Sequence, residues 1–161
     1  MSYNKNPGDV SLRKMKWLLL LLGTLKIPMI GFVRPKLLEL NDETSKIRIK
    51  LRRRSKNHLN SMYFGALSVG ADVAAGMHAF YFSKKMGRPV SFAFKSMNAK
   101  FLKRAESEIT FTSNQGDVVK AAMIKSKEIG QRINEPVEVI ATDNSGEPVA
   151  TFILVVSVKV K

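Results

Sequence analysis

Cysteine is absent from the 161 residues, so neither disulfides nor thiolate zinc sites can hold this fold. Histidine occurs only as His58 and His78. Two imidazoles so far apart in the chain do not point to zinc, which needs several convergent nitrogen, sulfur or oxygen ligands, and no metal site is expected. No G-x-x-x-x-G-K loop, G-x-G-x-x-G turn or G-x-S-x-G elbow occurs, which sets aside the common nucleotide loops and the serine-hydrolase elbow. Acids are scarce. Thirteen Asp and Glu stand against 27 Lys and Arg, a formal charge of +14. Such a charge fits nucleic acid, an anionic membrane surface or a phosphorylated small molecule as partner, and equally a solvated basic surface. The lack of cysteine favours a reducing compartment, and the expected location is the cytoplasm.

What is present fits one domain spanning residues 1–161 with a real core. Residues 1–10 read as a loose tail and 11–26 as an N-terminal helix, capped by Asp9 or Ser11 and carrying the leucines 18–22. Basic residues before a leucine run resemble a signal peptide, but Gly23-Thr24-Leu25-Lys26 lacks the small-x-small cleavage pattern. The charge-free run, ended by Lys26, is also too short to span a bilayer comfortably. A packed helix is the expectation, with an uncleaved anchor or membrane-surface helix as the alternative.

Ile27-Pro28 should end that helix, and Gly31 to Pro35 should form a connection. Strands are expected over 36–40 and 46–53, the second alternating Ile47, Ile49 and Leu51 against Lys46, Arg48, Lys50 and Arg52. Further strands are expected over 90–97, 106–112, 136–142 and 148–159, and a helix over 117–129 stopped by Gly130. Asp143-Asn144-Ser145-Gly146 is hairpin chemistry.

Between the strand pairs lies Met62 to Phe82, MYFGALSVGADVAAGMHAFYF, apolar except for Asp72 and His78. Wound at about 100° per residue, it places Gly65, Ser68, Asp72, Ala75, Gly76 and Ala79 on one face and Tyr63, Leu67, Met77 and Tyr81 opposite. A carboxylate among alkyl groups must be paired, protonated or hydrated. Asp72, the small residues beside it and the flanking strands argue against a transmembrane helix. His78 is expected to be a core histidine and His58 an exposed one. From the residues alone Asp72 is either an unusual structural acid or a catalytic one, since burial raises a carboxylate's pKa toward general-base work near neutrality. The fold class is α+β, an antiparallel sheet wrapped around a long central helix.

The segment from Asn57 through Gly65 to Asp72 resembles the active-site segment of hotdog-fold acyl-CoA thioesterases of the phenylacetate-pathway type. That family shows N-x-x-G-x-x-H-G-G followed by an acid seven residues later. Asn57, Gly65 and Asp72 keep their places, while Asn60, Tyr63 and Phe64 replace the first glycine, the histidine and the next glycine. Phe101-Leu102-Lys103-Arg104-Ala105 is similar to the family's F-L-x-P-A run. The resemblance implies a hotdog-fold homodimer, with a tetramer open, whose site is shared between two central helices.

It further implies acyl-CoA as substrate, coenzyme A being part of that substrate and no separate cofactor required. The Phe64 and Gly65 amides would polarise the thioester carbonyl, Asp72 would act as base or nucleophile, and Asn57 would position the water or carbonyl. Asn60, Tyr63 and Ser68 would line the site, and Arg52, Arg53, Arg54 and Lys103 would meet the phosphates. Eight residues separate Phe64 from Asp72, about 12 Å along one helix. A single carbonyl therefore needs one group from each of two antiparallel helices. The alternative reading is a non-catalytic hotdog module that binds acyl-CoA or a fatty acyl group. Partnership with nucleic acid or membrane is not expected.

Overall fold

The computed structural model describes residues 10–161. The expected tail 1–10 lies almost entirely outside that range. Ser11 opens helix α1 (Leu12–Leu21), its hydroxyl accepting the Lys14 amide at 3.3 Å. The helix runs on past Gly23. A π-helical turn, Leu22–Lys26, carries it on to the boundary expected at 26.

Pro28 then starts a helix instead of preceding a connection. Helix α2 (Pro28–Val33) has Pro28 in its first turn, where the missing N–H is harmless. Residues 31–33, expected as connection, are therefore helical. The two pieces form a hairpin that crosses backbone to backbone. A Cβ built on Gly23 would lie 2.8 Å from the Gly31 Cα, and one on Gly31 would strike the Gly23 carbonyl.

Strands β1 (Lys36–Leu40) and β2 (Ser45–Ile49) pair as the expected hairpin, with Ile47 and Ile49 wholly buried. β2 stops at Ile49, four residues short of the expected Arg53. The Ser55 hydroxyl donates to the Lys50 carbonyl and accepts the Arg52 amide, so those backbone groups close a turn instead of extending the ladder. Arg52, Arg53 and Arg54 are thus turn residues.

Helix α3 (Phe64–Met86) follows and ends at Gly87, whose φ of 62° suits a left-handed cap. Strand β3 (Val90–Phe101), β4 (Ile109–Ser113), helix α4 (Gly116–Ile129), β5 (Ile133–Thr142) and β6 (Pro148–Val160) complete the chain. β4 begins three residues later than expected. The sheet is antiparallel throughout in the order β1-β2-β4-β5-β6-β3, and α3 touches all six strands. Ala71, Ala74 and Met77 of α3 and Phe111, Val139, Phe152 and Leu154 of the sheet share one buried core. β6 lies between β5 and β3, which explains its apolar residues on both faces. Among the described residues β3 pairs only with β6, which leaves one edge open. Among the described residues no helix is long and apolar enough to cross a membrane.

Candidate active site

Asp42, packed against α3, and Asp72, within it, are pushed in opposite directions by their surroundings. Asp42, in the β1–β2 turn, accepts from Lys85 at 2.6 Å and Tyr81 at 2.8 Å, with Lys120 at 3.6 Å. The Lys85 ammonium, then the Tyr81 hydroxyl, hold its carboxyl below the usual aspartate range. Asp72 is half-buried, and among the described residues no hydrogen-bond donor or cation reaches it. Burial alone acts on it and raises its pKa.

The Asp72 side chain lines an apolar cavity of about 320 Å³, at the lower end of small-molecule sites. Leu19, Leu22, Ile27 and Ile30 of the N-terminal hairpin form one wall; Phe92 and Phe94 of β3 form another. These walls were not identified from sequence. Alternation marks Phe92 and Phe94 as inward-facing, but nothing local says that a helical hairpin closes over them.

The small-residue face of α3 divides in two. Ala75 and Ala79 have no exposed surface, and Gly76 packs so closely that its Cβ would lie 3.3 Å from the Phe92 ring. That half is covered by the chain itself. Gly65, Ser68 and Asp72 remain half-open. The Ser68 hydroxyl donates back to the Phe64 carbonyl at 2.9 Å. Tyr63, expected on the core side with Leu67, Met77 and Tyr81, is instead 47% exposed. It precedes the helix as its cap residue, so the helical period no longer governs it. Its ring lies over Gly65, where a Cβ would strike it.

The start of α3 has no side-chain cap and no acid in its first turn. Its first amide with a main-chain acceptor is that of Leu67, bonded to the Tyr63 carbonyl at 3.1 Å. The Phe64, Gly65 and Ala66 amides therefore lie at the positive end of the helix dipole without intrahelical partners. Phe64 is 59% exposed and packs edge-on to Phe101, itself 52% exposed. Phe101, Ala99 and Met97 share the helix-facing side of β3, since they oppose Ala150, Phe152 and Leu154. An apolar strip beside the start of α3 is left uncovered.

Asn57 and Asn60 organise the preceding loop. The Asn57 amide donates to the Ser61 hydroxyl at 3.0 Å, and its carbonyl accepts the Leu59 and Ser61 amides. Both ends of that side chain are occupied within the loop. Asn60 has φ of 59°, the left-handed region that asparagine tolerates better than most residues. That geometry explains an asparagine where the resembled segment has glycine. The loop ties back through the Tyr63 amide to the Ser55 carbonyl at 2.8 Å, which sets the Arg52–Arg54 turn next to the start of α3.

The expected cations are dispersed. Arg52 and Arg53 are exposed, and Arg54 sits over the Phe32 ring at 5.4 Å. Lys103 pairs with Asp143 at 2.8 Å and with Glu147, in the β5–β6 turn. His78 is fully buried, its Nε2 within 3.2 Å of the Asn41 carbonyl, and burial lowers its pKa. His58 is exposed in its loop.

Residues 15–158 match the family described as a domain of unknown function, DUF4442. The chain belongs to that family. No curated protein matches the sequence. Solved structures do match. A candidate thioesterase from Shewanella oneidensis superposes with a TM-score of 0.78 at 12% identity, covering 92% of this chain and 99% of the other. A protein of unknown function from Pseudomonas aeruginosa, assigned as a candidate thioesterase, gives 0.75 at 18% identity over 97% and 100%. A Haemophilus influenzae thioesterase gives 0.65 at 11% identity over 94% and 92%. The likeness establishes that this DUF4442 chain has the hotdog fold, as the Asn57–Asp72 segment leads one to expect.

Proposed function

We propose that the chain is a thioesterase that hydrolyses acyl-CoA at a site shared between two copies. The observation that carries this reading is Asp72, a half-buried carboxylate with a raised pKa and no partner among the described residues, on the wall of an apolar cavity. An acyl chain in that cavity would bring its thioester carbonyl to the mouth near Asp72. As general base, the carboxylate takes a proton from water as the water oxygen adds to the carbonyl carbon. The C–S bond then breaks, and the coenzyme A thiolate leaves with that proton. As nucleophile, the Asp72 carboxylate would add to the carbonyl carbon and expel the coenzyme A thiolate as the C–S bond breaks. Water would then open the resulting anhydride to release the acid and restore the carboxylate. Transfer of solvent ¹⁸O into the Asp72 side chain would mark the second route.

The oxyanion needs donors, and among the described residues none is hydrogen-bonded to Asp72. The unpartnered amides of Phe64 and Gly65 in a second copy would supply them. Gly65, Ser68 and the strip of Phe64, Met97 and Phe101 form the open surface on which that copy would pack. Tyr63 and Asn60 would border the site, and Asn57 would act through the loop it holds. Arg52 and Arg53 are the better candidates for the coenzyme A phosphates, because Lys103 is already neutralised by two carboxylates. The cytoplasm, where acyl-CoA is at hand, is the proposed location.

Hydrolysis of an acyl-CoA panel by wild type and Asp72→Asn tests the reading. The expected loss is about 100-fold or more. Equal rates would remove Asp72 from the chemistry. No turnover by either protein, with acyl-CoA still bound, would favour the non-catalytic module.

A further inference from the structure

The N-terminal hairpin carries two apolar stripes where one would complete a core. Met15 and Leu19 of α1 are buried against the domain. On the outer side Trp17, Leu20, Leu21 and Leu25 recur at helical spacing and are 58%, 54%, 47% and 73% exposed. Met29 and Phe32 of α2 extend this surface at 61% and 52%. Large apolar side chains exposed singly are ordinary, but a contiguous group on one helical hairpin calls for a partner.

Charge identifies that partner. Residues 10–38 hold six cations, Arg13, Lys14, Lys16, Lys26, Arg34 and Lys36, and no acid. None of the six is in an ion pair among the described residues. On one flank a groove of about 920 Å³ has Leu37 and Leu38 on its wall, with Lys16, Arg34, Lys36 and Arg54 along it. Such a groove suits a phosphate-bearing lipid head above an apolar chain.

We propose that the α1–α2 hairpin docks the protein on anionic lipid bilayers, with Trp17, Leu21 and Leu25 in the interfacial layer and the surrounding cations on the lipid phosphates. Two other occupants fit less well. A second copy packed symmetrically on this face would set six cations against six. A nucleic acid would match the charge and leave the leucine and tryptophan surface in water. The inner side of the same hairpin is a wall of the Asp72 cavity. Docking would therefore hold that cavity close to the layer where long-chain acyl groups partition. The lipid docking itself does not depend on the proposed thioester chemistry.

Trp17 is the chain's one tryptophan, so it reports directly on this face. The full chain is mixed with vesicles of phosphatidylcholine alone, or of equal parts phosphatidylcholine and phosphatidylglycerol, and followed by flotation and Trp17 emission. The protein should float with the anionic vesicles, with a blue-shifted emission, and remain behind with the neutral ones. High salt should release it. Neutralising Lys14 or Lys26 with alanine should weaken partitioning about fivefold each. Leu25→Asp should weaken it more than tenfold, with an unchanged thermal melt because Leu25 is mostly in water. Failure to float with anionic vesicles at low salt would overturn the proposal. So would a Trp17 blue shift that needs no lipid, rises with protein concentration and disappears in Leu25→Asp, which would give the face to a second copy.

Discussion

Asp72 ionises at a cost that nothing among the described residues offsets. Its folded pKa lies above the ordinary 3.8, so the folded protein holds this proton more tightly than the unfolded chain does. The stability from that difference is present below pH 3.8 and is lost as pH rises through the raised folded value. Above that window Asp72→Asn removes the penalty. The variant should melt a few degrees higher at neutral pH, and close to wild type below pH 3.8. A variant less stable than wild type at neutral pH would mean that the carboxylate has a partner. Asn60 offers a second test. With φ at 59°, Asn60→Gly should leave stability nearly unchanged, and Asn60→Val should cost roughly 1–3 kcal/mol in denaturant titration. Equal stabilities would dismiss the backbone explanation for this position. The small residues beside Asp72 on its own helix were legible in sequence, because helical spacing sets them, whereas the hairpin and β3 walls around it were not. The occupation of Asn57 was not, because it depends on a loop closing through Ser61.

Among the elements, long periodic segments, the break at Ile27-Pro28 and the stop at Gly130 were read correctly, while the connection over 31–33 and the end of β2 were misread. Alternation located the β1–β2 hairpin and β6, and apolar length located α3. The break at Ile27-Pro28 falls where it was expected, but the same proline also opens a second helix in its first turn, which was not expected. Arg52 and Arg53 continued an alternating pattern that the Ser55 hydroxyl cuts off. The α1–α2 crossing depends on two glycines eight residues apart, a pairing that appears only once both helices are folded. Gly31→Val should therefore push the hairpin apart, since its new Cβ would strike the Gly23 carbonyl. The expected loss is about 1–3 kcal/mol in denaturant titration. An unchanged midpoint would mean the crossing is looser than the close approach implies.

At the scale of the molecule, the proposed site draws on two chains. The Asp72 cavity is built, the amides at the start of α3 are unpartnered, and about 12 Å of helix separates them. The hotdog fold was legible from element order and the Asn57–Asp72 segment. The closing of the cavity by the N-terminal hairpin was not, because it joins residues from opposite ends of the core. The central claim is that Asp72 works against another chain's helix start, and mixing two inactive variants tests it most directly. Asp72→Asn removes the carboxylate. Phe64→Pro removes the first amide at a position where proline suits a helix. Each alone should hydrolyse acyl-CoA poorly. After subunit exchange, mixed dimers would contain one site with both groups intact, and activity should return to about one quarter of wild type. A mixture as inactive as its parents would contradict the shared site.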